Sequence, residues 1–137
     1  MKAKFSLSLL SVLFISSLLS MSCKKDKDEK PSLIGFWTGK YSSNATAYPT
    51  SQYAVMFKAD GTARVFNRTD TTTGDRANAT YTVAGSTITC TYTYLPPGSG
   101  TFTFKGDVNT QFSFIEGTWG SGSSPTAGGG RFYFVKN

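Results

Sequence analysis

The sequence predicts an all-β domain folded as an eight-stranded antiparallel up-and-down barrel, and three observations lead there. From Ser32 to Asn137 the chain is rich in Thr, Tyr, Phe, Val and Gly, and no stretch carries a helical period. Apolar residues recur instead at every second position. In Ser86 to Tyr94, Ile88, Cys90, Tyr92 and Tyr94 alternate with Thr87, Thr89, Thr91 and Thr93, so one face turns to a core and the other to water. Turn signals then break the chain at short intervals. A closed barrel removes its own sheet edges and suits many short strands in one small domain; a two-sheet β-sandwich accommodates the same number and is the alternative.

The elements follow in order. A strand at 34–42 opens on Gly35-Phe36-Trp37, and one at 52–59 alternates Tyr53, Val55 and Phe57. Asp60-Gly61 joins it to a strand at 62–68, and both turn residues tolerate the positive φ that primed hairpin turns need. Ala79, Tyr81 and Val83 mark 77–84, and Ala84-Gly85-Ser86 turns it into 86–95. Pro96-Pro97-Gly98 precedes 101–106, with Phe102 and Phe104 on one face; Gly106-Asp107 precedes 110–119, with Phe112 and Phe114. The stretch Gly120 to Gly130 leads to 130–136, with Phe132 and Phe134.

Ahead of this domain, Lys2 and Lys4 precede an apolar run from Phe5 to Leu19, a positive n-region and short h-region that read as a signal peptide over 1–22. The run is short for a permanent span. Cys23 follows at once, and Lys24 to Lys30 alternates charge without one apolar residue, so 23–31 is expected to be an extended, solvated tether. The tether matters for charge. The chain carries +6 overall, but from Ser32 onward Lys40, Lys58, Lys105, Lys136, Arg64, Arg68, Arg76 and Arg131 face Asp60, Asp70, Asp75, Asp107 and Glu116, leaving only +3. That excess forms no basic stripe, so nucleic acid is not an expected partner.

Chemistry-bearing residues are few. The sequence has no histidine, the five acids of the domain form no hydrolytic pair or calcium loop, and Cys90 has no second thiol near it. We therefore expect no enzyme activity, catalytic residue, metal or cofactor. Cys90, between Ile88 and Tyr92 on the apolar face of a strand, reads as a small buried hydrophobe. Ser121 to Gly130 has phosphate-loop composition but precedes a strand and lacks a Gly-Lys-Ser/Thr ending, so it reads as a mobile connection.

Aromatic side chains are the remaining signal. Trp37, Tyr41, Tyr53, Phe57, Tyr81, Tyr92, Tyr94, Phe102, Phe104, Phe112 and Phe114, with Phe132 and Phe134, are expected on one face of the sheet. They either line a cavity for a small apolar or amphipathic ligand or fill it, and an eight-stranded barrel is wide enough for either. A filled barrel would leave its loops to bind a protein or polysaccharide. Trp119, beside two glycines at a strand end, is placed at the open rim.

Three resemblances sharpen these expectations. Leu19-Ser20-Met21-Ser22-Cys23, followed by lysines and acids, resembles the relaxed lipobox of Bacteroidota lipoproteins, in which Ser20 stands where the usual box has a branched apolar residue. It implies a thioether-linked diacylglyceryl group on Cys23, acyl chains of the palmitate kind, and lipid anchoring in the cell envelope at the outer membrane, on either its periplasmic or its surface face. Several acyl chains hold far more firmly than one, at about 0.8 kcal/mol per buried methylene. Gly35-Phe36-Trp37 resembles the first-strand signature of lipocalins and their calycin relatives. Tyr53 to Thr62, Gly117-Thr118-Trp119-Gly120 and Arg131 to Lys136 are similar to the second hairpin and closing strands of lipocalin-like domains in such lipoproteins. The resemblance implies that Trp37 closes one barrel end. Calycins pack an arginine on that tryptophan, whereas an eighth strand antiparallel to the first puts Arg131 at the far end and Lys136 nearer. Asp70-Thr71-Thr72 also resembles an O-glycosylation sequon of these bacteria.

Overall fold

The structure, a computed structural model, describes residues 30–137; the expected signal peptide, Cys23 and most of the expected tether lie outside the described residues. Eight strands follow one another: β1 (Gly35–Tyr41), β2 (Ser51–Phe57), β3 (Thr62–Phe66), β4 (Arg76–Ala84), β5 (Thr87–Tyr94), β6 (Thr101–Val108), β7 (Phe114–Ser121) and β8 (Arg131–Lys136). Each pairs antiparallel with the next. β8 closes onto β1 with Trp37 opposite Lys136 and Tyr41 opposite Phe132, so the sheet is a closed barrel and not a sandwich.

Strand parity divides inside from outside as the alternation predicts. Gly35, Trp37, Gly39 and Tyr41 pair with Phe57, Val55, Tyr53 and Ser51, which carries the inward parity from β1 to β2. The same parity continues through Ala63 and Val65, Ala77 and Ala79, Ile88, Cys90 and Tyr92, and Phe102 and Phe104. Trp37, Tyr53, Phe57, Phe104, Phe132 and Phe134 are almost wholly buried, each stabilising the fold by roughly 2–3 kcal/mol. Large rings from β1, β2, β6 and β8 share one core with small residues, Ala63, Ala77 and Ala79, from β3 and β4.

Two glycines make the centre possible. Gly106 and Gly117 face each other across β6 and β7, and Phe132 sits opposite Gly117 on β8. A Cβ on Gly106 would stand 2.9 Å from Phe132 Cζ, and one on Gly117 would stand 2.0 Å from the Lys105 carbonyl oxygen. At Gly106 the missing side chain leaves room for the Phe132 ring, and at Gly117 it lets the β6 backbone approach closely.

The two ends differ. Turns at 58–61, 85–86 and 109–113 close one end, and the longer connections 42–50, 67–75, 95–100 and 122–130 ring the other. At the turn end, buried Leu33 packs with the core and its carbonyl accepts the Trp37 Nε1 hydrogen at 2.8 Å. Lys136 Nζ lies 5.8 Å from the Trp37 ring centre and donates to the Ser32 carbonyl at 2.5 Å. Lys136, not Arg131, is thus the cation over the closing tryptophan, as strand direction requires.

Two local expectations need correction. At the β2–β3 hairpin only Gly61 takes a positive φ (79°); Asp60 instead accepts hydrogens from Thr62 N at 2.9 Å and Thr62 Oγ1 at 2.6 Å. The turn is stabilised by an aspartate acceptor, not by two left-handed residues. The seventh strand begins at Phe114 rather than 110. Asn109 Oδ1 accepts from Ser113 N and Phe114 N, and Phe112 sits in the turn at φ 51°. The inward parity of β7 belongs to Ile115, Gly117 and Trp119, so Phe112 and Phe114 do not continue that face.

Candidate functional site

The expected aromatic residues separate into four places. Trp37, Phe57 and Phe104 are buried below the mouth with Phe132 and Phe134, and they fill the barrel. Tyr81 lies at the turn end, where its hydroxyl donates to the Lys58 carbonyl at 2.6 Å and its ring meets Phe57. Phe112 packs on the core from its turn, and Phe114 lies on the outer wall stacked on Tyr133 at 6.1 Å. Tyr41, Tyr53, Tyr92, Tyr94 and Phe102, joined by Trp119, line a cup of about 120 Å³ at the mouth.

The cup is built as a circuit of ring contacts. Tyr41 meets Tyr53 at 5.3 Å, Tyr53 meets Tyr92 at 6.3 Å, Tyr92 meets Phe102 at 5.7 Å, Phe102 meets Trp119 at 5.9 Å, and Trp119 returns to Tyr41 at 5.6 Å. Tyr94 joins through Tyr92 and Phe102. β5 and β6 present Tyr92 opposite Phe102, and β6 and β7 present Phe104 opposite Trp119 one step lower in the register. Edge-to-face contacts dominate, the arrangement ring quadrupoles favour, worth about 0.5–1.5 kcal/mol per pair beyond burial.

A bond between hydroxyls forms the floor. Tyr53 Oη and Tyr92 Oη are 2.6 Å apart, with the Tyr53 hydroxyl donating. Burial raises the ionisation of Tyr53 well above its ordinary value, and the neighbouring Tyr92 adds to the rise. Tyr92 is raised chiefly by burial, and Tyr94 is pushed up to about 12 by burial first, then by Tyr41 and the Asp75 carboxylate. The phenols are therefore neutral hydrogen-bonding groups at physiological pH. Cys90, beneath them, is buried and free, and burial pushes its thiol up to about 12, the reverse of what a nucleophile needs.

Ser42 fixes the rim. Its carbonyl accepts the Trp119 Nε1 hydrogen at 2.9 Å, its hydroxyl accepts from Arg131 N at 2.9 Å and donates to the Asn44 carbonyl at 2.8 Å. This knot ties the ends of β1, β7 and β8 and orients the indole. Nothing in the sequence around Ser42 signals it, because its partners are 77 and 89 residues away. The glycine-rich connection is pinned too: Ser121 N donates to the Ala127 carbonyl and Gly122 N to the Thr101 carbonyl, both at 2.8 Å.

On a separate mouth loop, the Asp70 carboxylate accepts from Thr72 N, Thr72 Oγ1 and Thr73 Oγ1, which holds it well below the usual carboxylate range. No cluster of three or more His, Cys, Asp or Glu that could hold a metal occurs among the described residues. Comparison with protein-family models, with curated proteins and with solved structures finds no match to this chain.

Proposed function

We propose that this chain is a lipid-anchored lipoprotein of the bacterial cell envelope, lipocalin-like in kind, whose barrel mouth holds one small apolar or amphipathic group. The observation that carries the binding reading is the aromatic cup, open at the mouth and floored by the Tyr53–Tyr92 pair. Its volume restricts the ligand. Sites for drug-sized ligands span about 300–1,000 Å³, and a cavity of about 150 Å³ takes a benzene ring. A cup of about 120 Å³ suits one compact group, with the rest of the ligand outside.

The anchoring part of the reading rests on the lipobox-like sequence at Cys23 and the apolar-free tether after it. The chain enters the barrel beside Leu33, at the end opposite the cup. Native mass spectrometry of full-length protein extracted from membranes tests both parts. A covalent diacylglyceryl mass on Cys23 and a small noncovalent adduct are expected. A barrel that is always bare would refute the ligand reading. Cys23→Ser should leave the chain unacylated and release it from the membrane fraction, and unchanged fractionation would refute the anchor.

A second reading, in which the filled barrel is an accessory protein that binds a protein or polysaccharide, draws support from the outer wall. There Tyr48 is 78% exposed, and Phe114, Tyr133 and Arg131 line a groove with it.

A further inference from the structure

We propose that the mouth cup is a cage for a compact organic cation, a quaternary or methylated ammonium group. The inference deepens the ligand reading above and rests on it. Four features of the cup carry it.

The lining is aromatic throughout, with neither a cationic nor an aliphatic side chain among Tyr41, Tyr53, Tyr92, Tyr94, Phe102 and Trp119. Ring faces attract cations through their quadrupoles, tryptophan most strongly, and desolvation increases the attraction. The second feature is the turning of the planes. Successive rings round the circuit are inclined by 63°, 54°, 29°, 62° and 89°, so they form the walls of a box and not one flat platform. A sugar stacked on aromatics needs a platform; a roughly spherical cation is met by rings from several sides.

Size is the third feature. About 120 Å³, open on one side and close to the roughly 150 Å³ of a cavity that takes benzene, admits one compact group, whereas a hexose with its hydroxyls would remain above the rim. The fourth is the hydroxyls. An acyl chain tip seated here would cover phenol oxygens and deprive them of water, at a cost of about 1–3 kcal/mol for each left unsatisfied. A quaternary ammonium has no hydrogen to donate and needs no acceptor, yet its charge is attracted by oxygen lone pairs and ring faces alike. The Asp75 carboxylate adds a negative field at this rim, felt at the Tyr94 hydroxyl.

The test compares two molecules of one shape. Choline and its carbon isostere 3,3-dimethylbutan-1-ol are titrated calorimetrically into full-length protein in an uncharged detergent. Choline is expected to bind at least about tenfold more tightly, the factor that a desolvated cation–π contact of 1.4 kcal/mol or more supplies. Trp119→Leu and Tyr94→Leu should each lower choline affinity about threefold to thirtyfold and change binding of the neutral isostere far less. Trp119→Phe, which keeps a ring, should retain most of the preference and guards against a variant that fails to fold.

Equal binding of the two molecules would overturn the cation cage while leaving the cup a ligand site. Binding of neither would overturn the cage and the ligand reading together. Displacement of choline by phosphatidylcholine vesicles, but not by phosphatidylglycerol vesicles, would support the cage and identify a lipid headgroup as the source; choline binding unaffected by both would support a free cation.

Discussion

Alkaline titration probes the filled barrel directly, because three ionisable groups share its interior. Tyr53, Tyr92 and Cys90 are buried, and burial raises the ionisation of each above its ordinary value. In an unfolded chain, thiols ionise near pH 8.5 and phenols near pH 10. Above about pH 10 the unfolded chain has therefore released these three protons, which the folded barrel retains, and Tyr94 at the mouth, pushed up to about 12, adds a fourth until the pH reaches that value. The stability contributed by these groups is complete below their unfolded values and is lost as pH rises toward their folded ones. Each group removes about 1.4 kcal/mol per pH unit, so the three remove about 4 kcal/mol per unit above pH 10. A domain with a typical 5–15 kcal/mol of stability then unfolds within about one to four pH units.

Urea unfolding followed by circular dichroism at intervals through this range measures the slope. Near-ultraviolet absorbance reports tyrosinate in parallel. The absorbance from Tyr53 and Tyr92 should rise in one step with loss of the barrel signal. Tyr53→Phe should reduce the slope by about a quarter to a third, since one proton leaves the balance. A urea midpoint independent of pH across this window would refute the reasoning, as would full ionisation of all seven tyrosines with the barrel signal intact.

Three further outcomes follow from the geometry. Gly117→Ala places a Cβ 2.0 Å from the Lys105 carbonyl oxygen and 2.5 Å from Gly106 Cα, and should destabilise by roughly 3 kcal/mol or more, whereas Gly85→Ala at φ 63° in open space should cost about 1 kcal/mol. Urea midpoints in the opposite order would sink the close-approach account. Lys136→Met keeps the stem but loses the bond to Ser32 and the charge over Trp37, at about 1–3 kcal/mol; hydrogen exchange at 32–34 should quicken before that of the strands. Trp119→Phe removes the bond to the Ser42 carbonyl, and a loss of about 1–2 kcal/mol in thermal or urea unfolding is expected; an unchanged midpoint would mean the knot at Ser42 does not hold the rim.

Much of this architecture was legible because strand parity is a local property. The alternation Ile88, Cys90, Tyr92, Tyr94 gives the inward face of β5 from the sequence, and the structure pairs it with Ala79 on one side and Phe104 on the other. The failure at β7 has the same origin. Phe112 and Phe114 are even-numbered, Ile115, Gly117 and Trp119 are odd, and a strand has only one inward parity. Asn109 decides between them by capping the turn and delaying the strand to Phe114. Level within the barrel is not local. It depends on stagger between neighbouring strands, so the sequence does not reveal that Tyr53 meets Tyr92 at the floor while Phe104 and Phe134 lie below. Leu33 and Ser42 are likewise unmarked: Leu33 holds the Trp37 indole through a backbone carbonyl that any residue carries, and the carbonyl and hydroxyl of Ser42 find Trp119 and Arg131 far along the chain.

That stagger also explains why a barrel so full retains a cup. Tyr53 contacts the rings of Tyr41, Tyr92, Phe104, Phe132 and Phe134, and it is stacked on Phe134 at 5.0 Å. At about 0.5–1.5 kcal/mol for each aromatic pair, displacing this ring downward or aside would cost several kcal/mol before its hydroxyl bond to Tyr92 is counted. A long acyl chain cannot enter without that displacement. The space above Tyr53 is thus held at a fixed depth by the packing beneath it. A filled interior and the proposed binding mouth are consequently not competing descriptions of this barrel: the first supplies the rigid floor that the second requires.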